Sequence, residues 1–196
     1  METAPARHTS PVDAMTTDDR IIHATLMLIG ERGLGAMTMS QVAATAGIAR
    51  QTLYNHYRDI DSIVVAAIER HQRDSIDLLD AALELAASPA GKIEQMVRHF
   101  VMVGSQAHQA FDFGSGLSAE ARTMLDTYQD GVERRISAIL DDGRRSGDFR
   151  RDLTPEIDTV LVRAMLNGLY ELASGASDRA ARIAATGSST ILAALR

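Results

Sequence analysis

Residues 38–57 read TMSQVAATAGIARQTLYNHY and contain two short helical patterns separated by a glycine. Thr38 and Gln41 have the spacing of a capping box, in which both side chains satisfy backbone N–H groups at the start of a helix. Apolar side chains recur from there at helical spacing, and Gly47 is placed to end the helix. A second short helix completes the stretch. The pattern therefore predicts a helix-turn-helix.

The second helix has the chemistry of a surface that contacts duplex DNA. Residues 48–58 include two arginines and no acidic residue, whereas the whole chain of 196 residues has a net charge of −6. Arg50 is suited to guanine through two hydrogen bonds, and Gln51 or Asn55 is suited to adenine in the same way. These residue types in a locally basic segment favour sequence-specific DNA binding.

Phosphate contacts are expected from the same stretch. Thr38 lies at the positive end of the first helix, where a hydroxyl and backbone N–H groups can hold a phosphate. Tyr54 and His56 carry further donors suited to phosphate oxygens. The alternative is that the second helix is an ordinary solvated surface helix and that Thr38 only caps its helix.

Composition limits the class of protein. The chain is 45% apolar, has 20 Lys+Arg against 26 Asp+Glu, and contains no cysteine, which excludes disulfides, thiolate metal sites and cysteine nucleophiles. No apolar run reaches the roughly 18 residues of a membrane span. The first residues do not form a secretory signal, so we expect a cytoplasmic protein. Because an acidic protein repels the phosphate backbone at long range, DNA binding requires a local patch such as residues 48–58.

The rest of the sequence predicts helices, since it is rich in strong helix formers and has no alternating β-branched run. Residues 1–15 are aperiodic and rich in Pro, Thr and Ala, and are expected to form a disordered tail. Before the helix-turn-helix, a helix is expected to begin near Thr17. After it, a long helix is expected from Asp59 toward Ser88. Further helices are expected at 89–102, 118–128, 130–145, 155–173 and 177–195, with a loop at 111–116.

The segment from Arg20 to Ile63 resembles the N-terminal domain of the tetracycline-repressor (TetR) family of transcriptional regulators. The resemblance is densest in residues 46–57, AGIARQTLYNHY. It implies an all-α homodimer in which residues 16–60 form a three-helix DNA-binding domain containing the helix-turn-helix. Residues 61–196 would then form a helical ligand-binding and dimerisation domain. The function implied is repression from a palindromic operator, relieved by a small-molecule effector.

The resemblance also assigns roles to individual positions and shows two departures. Family members have serine, a good N-cap, at the position of Ala49, and the loss of that cap costs about 1 kcal/mol. They have a phosphate-binding lysine at the position of Ile60. The residues predicted to contact DNA are Thr38, Ser40, Gln41, Arg50, Gln51, Thr52, Tyr54, Asn55 and His56.

Two further sets are expected in the C-terminal domain. Methionine and aromatic side chains suit an apolar pocket, although at helical spacing such residues also serve as plain core. The predicted ligand contacts are Met96, His99, Phe100, Met124, Tyr128 and Met165. The family pairs its subunits through its last two helices, so the corresponding segments of this chain are predicted to form a dimer interface. An intramolecular core would explain about half of these residues equally well. Its predicted residues are Leu161, Met165, Leu169, Ile183, Gly187 and Ile191.

Other functions find less support in the sequence. It contains no GxSxG, HExxH, P-loop or GxGxxG motif, so we expect neither an enzyme nor a bound cofactor. His99 and His108 are nine residues apart and lack the spacing of a metal site on one helix face, so no metal is expected. Two alternatives remain open: a helical dimer regulated by a protein partner, and a transcriptional activator.

Overall fold

The computed structural model describes residues 15–106 and 117–196, and the all-α prediction is confirmed over these ranges. The predicted loop at 111–116 and the predicted tail apart from Met15 lie outside the described residues. Short 3-10 helices at Leu34–Ala36 and Ser177–Arg179 accompany the α-helices. The α-helices are α1 Thr17–Arg32, α2 Met39–Ala46, α3 Arg50–His56, α4 Ile60–Glu84, α5 Pro89–Gln106, α6 Ala119–Ser146, α7 Pro155–Ala173 and α8 Ala180–Leu195.

Local capping signals set the beginning and end of the short helices. The capping box of α2 is confirmed: the Gln41 N–H donates to Thr38 Oγ1 at 3.3 Å, and the Thr38 N–H donates to Gln41 Oε1 at 2.9 Å. Gly47 ends α2 in the left-handed conformation, with φ 64° and ψ 39°, which glycine adopts without steric cost. Asp59 precedes α4 and accepts a hydrogen bond from the Ser62 N–H at 2.8 Å. These caps satisfy backbone groups that helix ends leave unpaired.

The chain divides into two compact units between Ala67 and Ile68. The first unit contains α1, α2, α3 and the beginning of α4, with α2 packed against both α1 and α3. Its helices bury one apolar face each, which is the main source of stability for helices this short. The buried side chains include Ile21, Ile22, Leu28, Val42, Leu53 and Ile63.

The second unit is built around α5, which packs against α6, α7 and α8. One continuous apolar core joins these helices to the later part of α4. Among the described residues, no helix has the length and hydropathy needed to cross a membrane. The largest fully buried side chains of this core are Leu79, Ile93, Met96, Ile136, Leu140, Leu166, Ile191 and Leu195.

The structure corrects the prediction of two helices at 118–128 and 130–145, because α6 runs without a break through Gly131. Val132 and Ile136, one turn apart, are both buried in the core. A glycine inside a helix costs about 1 kcal/mol, whereas each buried apolar side chain contributes roughly 1.5–3 kcal/mol. Packing therefore outweighs the helix-breaking tendency of glycine. Two smaller differences are that α4 ends at Glu84 and that α8 begins at Ala180.

The C-terminal end of α6 packs closely against the segment that follows it. A Cβ added at Gly143 would lie 2.0 Å from Cδ2 of Phe149, whose side chain is itself buried. A Cβ at Gly131 would lie 3.5 Å from Nη1 of Arg135, an ordinary contact. The two glycines of one helix thus provide a matched pair.

We expect Gly143→Ala to lower the free energy of unfolding by about 1–3 kcal/mol, because a buried ring must move to admit the methyl group. Gly131→Ala should leave stability unchanged or raise it by up to about 1 kcal/mol, since alanine favours the helix. Urea unfolding monitored by circular dichroism measures both variants. Equal stability of Gly143→Ala and the unmodified chain would contradict the packing described, and a destabilised Gly131→Ala would contradict the unbroken helix.

Candidate functional site

Helix α3 attaches to the first unit by one side and presents polar side chains on the other. Leu53 is fully buried, whereas Arg50, Gln51 and Asn55 are exposed and lie within five residues of one another along the helix. No residue of α3 is acidic. Of the nine predicted DNA contacts, Gln41 and Thr52 are half-buried, and the exposed ones are Thr38, Ser40, Arg50, Gln51, Tyr54, Asn55 and His56.

Arg20 of α1 fixes the corner between α2 and α3. Its Nη2 donates to the carbonyl oxygens of Ala46 and Gly47, both at 2.7 Å, and its Nε donates to Ala46 at 3.1 Å. These carbonyls lie at the end of α2, where no further helix turn supplies donors. This role of Arg20 leaves no local pattern in the sequence, since its partners are 26 and 27 residues away.

Asp18 of α1 holds the other end of α3. The Tyr57 hydroxyl donates to Asp18 Oδ1 at 2.6 Å. His56 Nδ1 lies 4.0 Å from the same carboxylate oxygen, at the distance of a weak ion pair when the histidine is protonated. This contact leaves no local sign in the sequence, because Asp18 lies 39 residues before Tyr57. With Arg20, it fixes α3 at both ends to α1.

Several of the candidate DNA contacts hydrogen-bond to one another. The Gln51 amide donates to Asn55 Oδ1 at 3.1 Å, one turn along α3. The Thr38 hydroxyl donates to Gln41 Oε1 at 2.8 Å. Such contacts hold the side chains in defined rotamers, and each can be exchanged for a hydrogen bond to a base edge or phosphate at little net cost. The exposed face therefore suits a polar, hydrogen-bonding partner.

In the second unit, α4 and two helices that carry predicted ligand contacts, α5 and α6, meet at a buried hydroxyl. Ser75 Oγ of α4 lies 2.9 Å from His99 Nε2 of α5 and 3.2 Å from the Tyr128 hydroxyl of α6. Ser75 and His99 are buried, and Tyr128 is half-buried. The structure thus brings together His99 and Tyr128 from the predicted ligand set and adds Ser75, which the sequence did not single out.

The remaining predicted ligand contacts surround this polar cluster with apolar groups or pack into the core. Met96 lies one turn before His99 on α5 and is fully buried, and the Phe100 ring meets the His99 ring edge to face. Met124 lies one turn before Tyr128 on α6 and is half-buried. Met165 of α7 is half-buried against the core.

Burial controls the ionisation of this region. It lowers the pKa of His99, and the nearby His71 lowers it further. Burial also lowers the pKa of His71 and raises the pKa of the Tyr128 hydroxyl. Desolvation favours the neutral form of each of these groups. Within residues 15–106 and 117–196, no three His, Asp or Glu side chains are grouped to hold a metal ion.

An ion pair links α4 and α6 beside the cluster. Nε and Nη2 of Arg135 donate to the two carboxylate oxygens of Asp80, both at 2.6 Å. Nη1 of the same guanidinium donates to the Gly131 carbonyl at 2.9 Å. Hydrogen bonding to Arg135 lowers the pKa of Asp80. The guanidinium is thus engaged in three hydrogen bonds within the protein.

The predicted dimer residues fall into two environments. Ile191 is 1% exposed in the core of its own chain, and a Cβ at Gly187 would lie 2.5 Å from Cδ1 of Leu169, so these contacts join α7 to α8 within one subunit. Ile183 is half-buried against the same core. Leu161 is exposed, as are three further large apolar residues of α7, Ile157, Val160 and Leu172. The outward face of α7 is thus apolar, like the face that it buries.

Comparison with known proteins agrees with this architecture. Residues 21–67 match the model of bacterial regulatory proteins of the tetR family, and residues 86–171 match that of the tetracyclin repressor-like C-terminal domain. The HTH-type transcriptional regulator BetI of Rhizobium meliloti is 28% identical over 160 residues, covering 76% of this chain and 74% of that protein. The HTH-type transcriptional repressor KstR2 of Mycolicibacterium smegmatis is 27% identical over 167 residues, covering 79% and 78%.

A solved structure has the same fold. The transcriptional regulator FadR from Bacillus subtilis, in complex with stearoyl-CoA, superposes with a TM-score of 0.69 at 18% identity, covering 89% of this chain and 95% of that one. Helices α2 and α3 are joined by a short turn that begins at Gly47, and this arrangement is a helix-turn-helix. The chain belongs to the tetR family, and it is a DNA-binding transcriptional regulator.

The start of α3 offers a test of the local geometry. Ala49 occupies the N-cap position, with φ −67° and ψ 144°, and has no side-chain group to accept a hydrogen bond from the helix. Ala49→Ser should raise the free energy of unfolding of the first unit by about 1 kcal/mol through a new cap. Ala44→Ser, an exposed interior position of α2, is the control and should lower it by a few tenths of a kcal/mol. Thermal unfolding compares the two, and a lower melting temperature for Ala49→Ser would place the helix start elsewhere.

Proposed function

We propose that the chain is a homodimeric repressor that binds a palindromic operator and is released from it by a small-molecule effector. The observation that carries the proposal is the exposed, acid-free face of α3, fixed to α1 at both ends. The residues to which we assign DNA contact are Thr38, Ser40, Gln41, Arg50, Gln51, Thr52, Tyr54, Asn55 and His56. In this arrangement residues 16–60 bind DNA, and residues 61–196 bind the effector and pair the subunits.

Within this interface the side chains divide into two roles. Arg50, Gln51 and Asn55 have the donors and acceptors that distinguish base pairs in the major groove. Thr38 and Tyr54 have hydroxyls suited to phosphate oxygens, which fix the register of the protein on the duplex. The other assigned residues flank these positions on α2 and α3. Because this surface has few positive charges, we expect sequence readout to contribute much of the affinity and nonspecific binding to be weak.

The outward face of α7 supports the homodimer. Ile157, Val160, Leu161 and Leu172 are between 45% and 63% exposed in the single chain. A contiguous apolar surface of this kind marks an interaction site, since water disfavours it. A two-fold dimer would also place two copies of α3 about 34–36 Å apart, one turn of the duplex, so that they read a palindrome. Met165, Leu169 and Ile183 would support this face from beneath.

The polar cluster of the second unit supports a small-molecule effector. KstR2 is described as a repressor, and the FadR structure contains stearoyl-CoA, a ligand with a long apolar chain. We assign the effector to the region of Met96, His99, Phe100, Met124, Tyr128 and Met165. Helix α4 contributes Ser75 to this region and begins four residues after α3 ends. An effector that binds the DNA-incompetent conformation more tightly would therefore shift the population away from the operator.

The readout by α3 is tested with Arg50→Ala. Loss of a bidentate contact to guanine should remove about 1–3 kcal/mol of discrimination at one base pair of each half-site. Selection of bound duplexes from a random library gives the operator for both proteins, and competition binding gives the affinities. Arg122→Ala, an exposed arginine of α6, is the control. An unchanged base preference in Arg50→Ala would reject this role, whatever the change in overall affinity.

Dimerisation through α7 is tested with Leu161→Glu. A carboxylate buried at the interface costs several kcal/mol without a partner, so the variant should sediment as a monomer at concentrations where the unmodified chain is a dimer. Leu78→Glu places the same charge at an equally exposed leucine of α4 and should leave the dimer intact. Analytical ultracentrifugation measures both. A dimeric Leu161→Glu protein would exclude this face of α7 as the interface.

A further inference from the structure

The polar cluster around Ser75 has more protons to donate than it has contacts that use them. Two contacts join its three groups, His99 to Ser75 and Ser75 to Tyr128. The groups have three protons to share, namely the two hydroxyl protons and the N–H of a neutral imidazole. If His99 Nε2 accepts from Ser75, the spare proton is on the other ring nitrogen. If His99 Nε2 donates, the spare proton is on the Tyr128 hydroxyl. In either case one proton is used by neither contact and can be donated to a group outside the cluster.

Gln72, almost one turn before Ser75 on the same helix, adds a second unmatched donor. Its Nε2 atom is buried and has no hydrogen-bond partner in the part of the chain that the structure describes. A buried amide N–H group without a partner costs about 1–3 kcal/mol. Native structures rarely leave such a group unmatched, and those that do mark a strained or functional position. An acceptor supplied by a ligand would therefore satisfy the Gln72 amide.

The histidine and tyrosine side chains of this region do not supply a net charge. Burial lowers the pKa values of His71 and His99 and raises that of Tyr128, so these groups are neutral near pH 7. The guanidinium of Arg135, whose charge acts on Tyr128, already makes three hydrogen bonds to Asp80 and Gly131. A charged ligand group would lose its hydration here without gaining an opposite charge.

The surroundings of the cluster are apolar. One turn from each polar group lies a buried or half-buried apolar side chain. These are Ile76 after Gln72 and Leu79 after Ser75 on α4, Met96 before His99 on α5, and Met124 before Tyr128 on α6. Side chains three or four residues apart share a helix face. The ligand body that matches these positions is apolar, and the methionines adapt to its shape.

We propose that the effector is an uncharged, mainly apolar molecule whose carbonyl oxygen accepts a hydrogen bond from Nε2 of Gln72 beside the Ser75–His99–Tyr128 cluster. This inference rests on the proposed function only in naming the ligand an effector. The binding site itself is defined by the donors and their apolar surroundings. Gln72 then selects a ligand that carries an acceptor at this position. A charged ligand is disfavoured because the site has no opposite charge.

The test uses the full chain without DNA and four probes with the same carbon chain: 2-decanone, decanoate, decylamine and decanoyl-CoA. Isothermal titration calorimetry at pH 7.5 should show that 2-decanone binds at least tenfold more tightly than decanoate and decylamine. Decanoyl-CoA presents a carbonyl on a polyanionic carrier and should also bind more weakly. Equal or tighter binding of any of these three would overturn the uncharged class.

Gln72→Met tests the donor, with Gln129→Met, an exposed position of α6, as the matched control. Gln72→Met should weaken 2-decanone binding about five- to tenfold, the effect of one hydrogen bond. It should keep or raise the melting temperature of the protein without ligand, because a buried donor without a partner is removed. Unchanged ketone affinity would overturn the proposal, as would a clear loss of stability, which would mean that the amide is already paired.

Measurements on the selected operator separate this inference from the proposed function. If the chain binds its operator and none of the probes binds in the order given, the ligand class is wrong while the DNA-binding function stands. If 2-decanone binds with the expected dependence on Gln72 but leaves the operator complex intact, the site stands and its role as an effector site fails. Release of the operator by 2-decanone, lost in Gln72→Met, supports both.

Discussion

The hydrogen bonds from Arg20 to the end of α2 are the interaction on which the DNA-binding surface depends. A helix of eight residues that stops at a glycine leaves several carbonyls without donors. One guanidinium satisfies two of them and fixes the path of the chain into α3. The direction in which Arg50 and Asn55 project follows from that path, so sequence readout depends on a residue that itself lies on α1. The positive charge of Arg20 therefore positions α3 and is not itself a DNA contact.

The second unit combines an apolar core with one polar cluster, and the two have different requirements. Residues such as Ile136 and Leu166 need only to be buried, and similar apolar residues would replace them at modest cost. Ser75, His99 and Tyr128 need particular partners at particular distances, since a buried polar group without a partner is costly. A cluster of this kind fixes the positions of the side chains that form it. It lies on α4, α5 and α6, helices that come from separate parts of the sequence.

The sequence predicted well what is decided within a few residues. The capping box at Thr38 and the glycine at position 47 bound α2 closely, and the helical phase of Leu53 told which side chains of α3 face outward. It failed at Gly131, because the turn tendency of glycine is local, whereas the packing that overrides it is not. Contacts such as those of Arg20 and Ser75 join positions more than 20 residues apart. No local pattern distinguishes that serine from any other polar residue on a long amphipathic helix.

The shallow attachment of α3 has a dynamic consequence. Among its seven residues only Leu53 is buried, so local opening of this helix costs far less free energy than unfolding of the whole unit. Its amide protons should exchange with solvent quickly in the isolated protein and slowly on the operator. Association with DNA then suppresses this local opening and does not fold the helix anew, since Arg20 and Asp18 already hold it in the isolated protein. Part of the sequence preference would then come from how strongly a given duplex stabilises the closed conformation of α3.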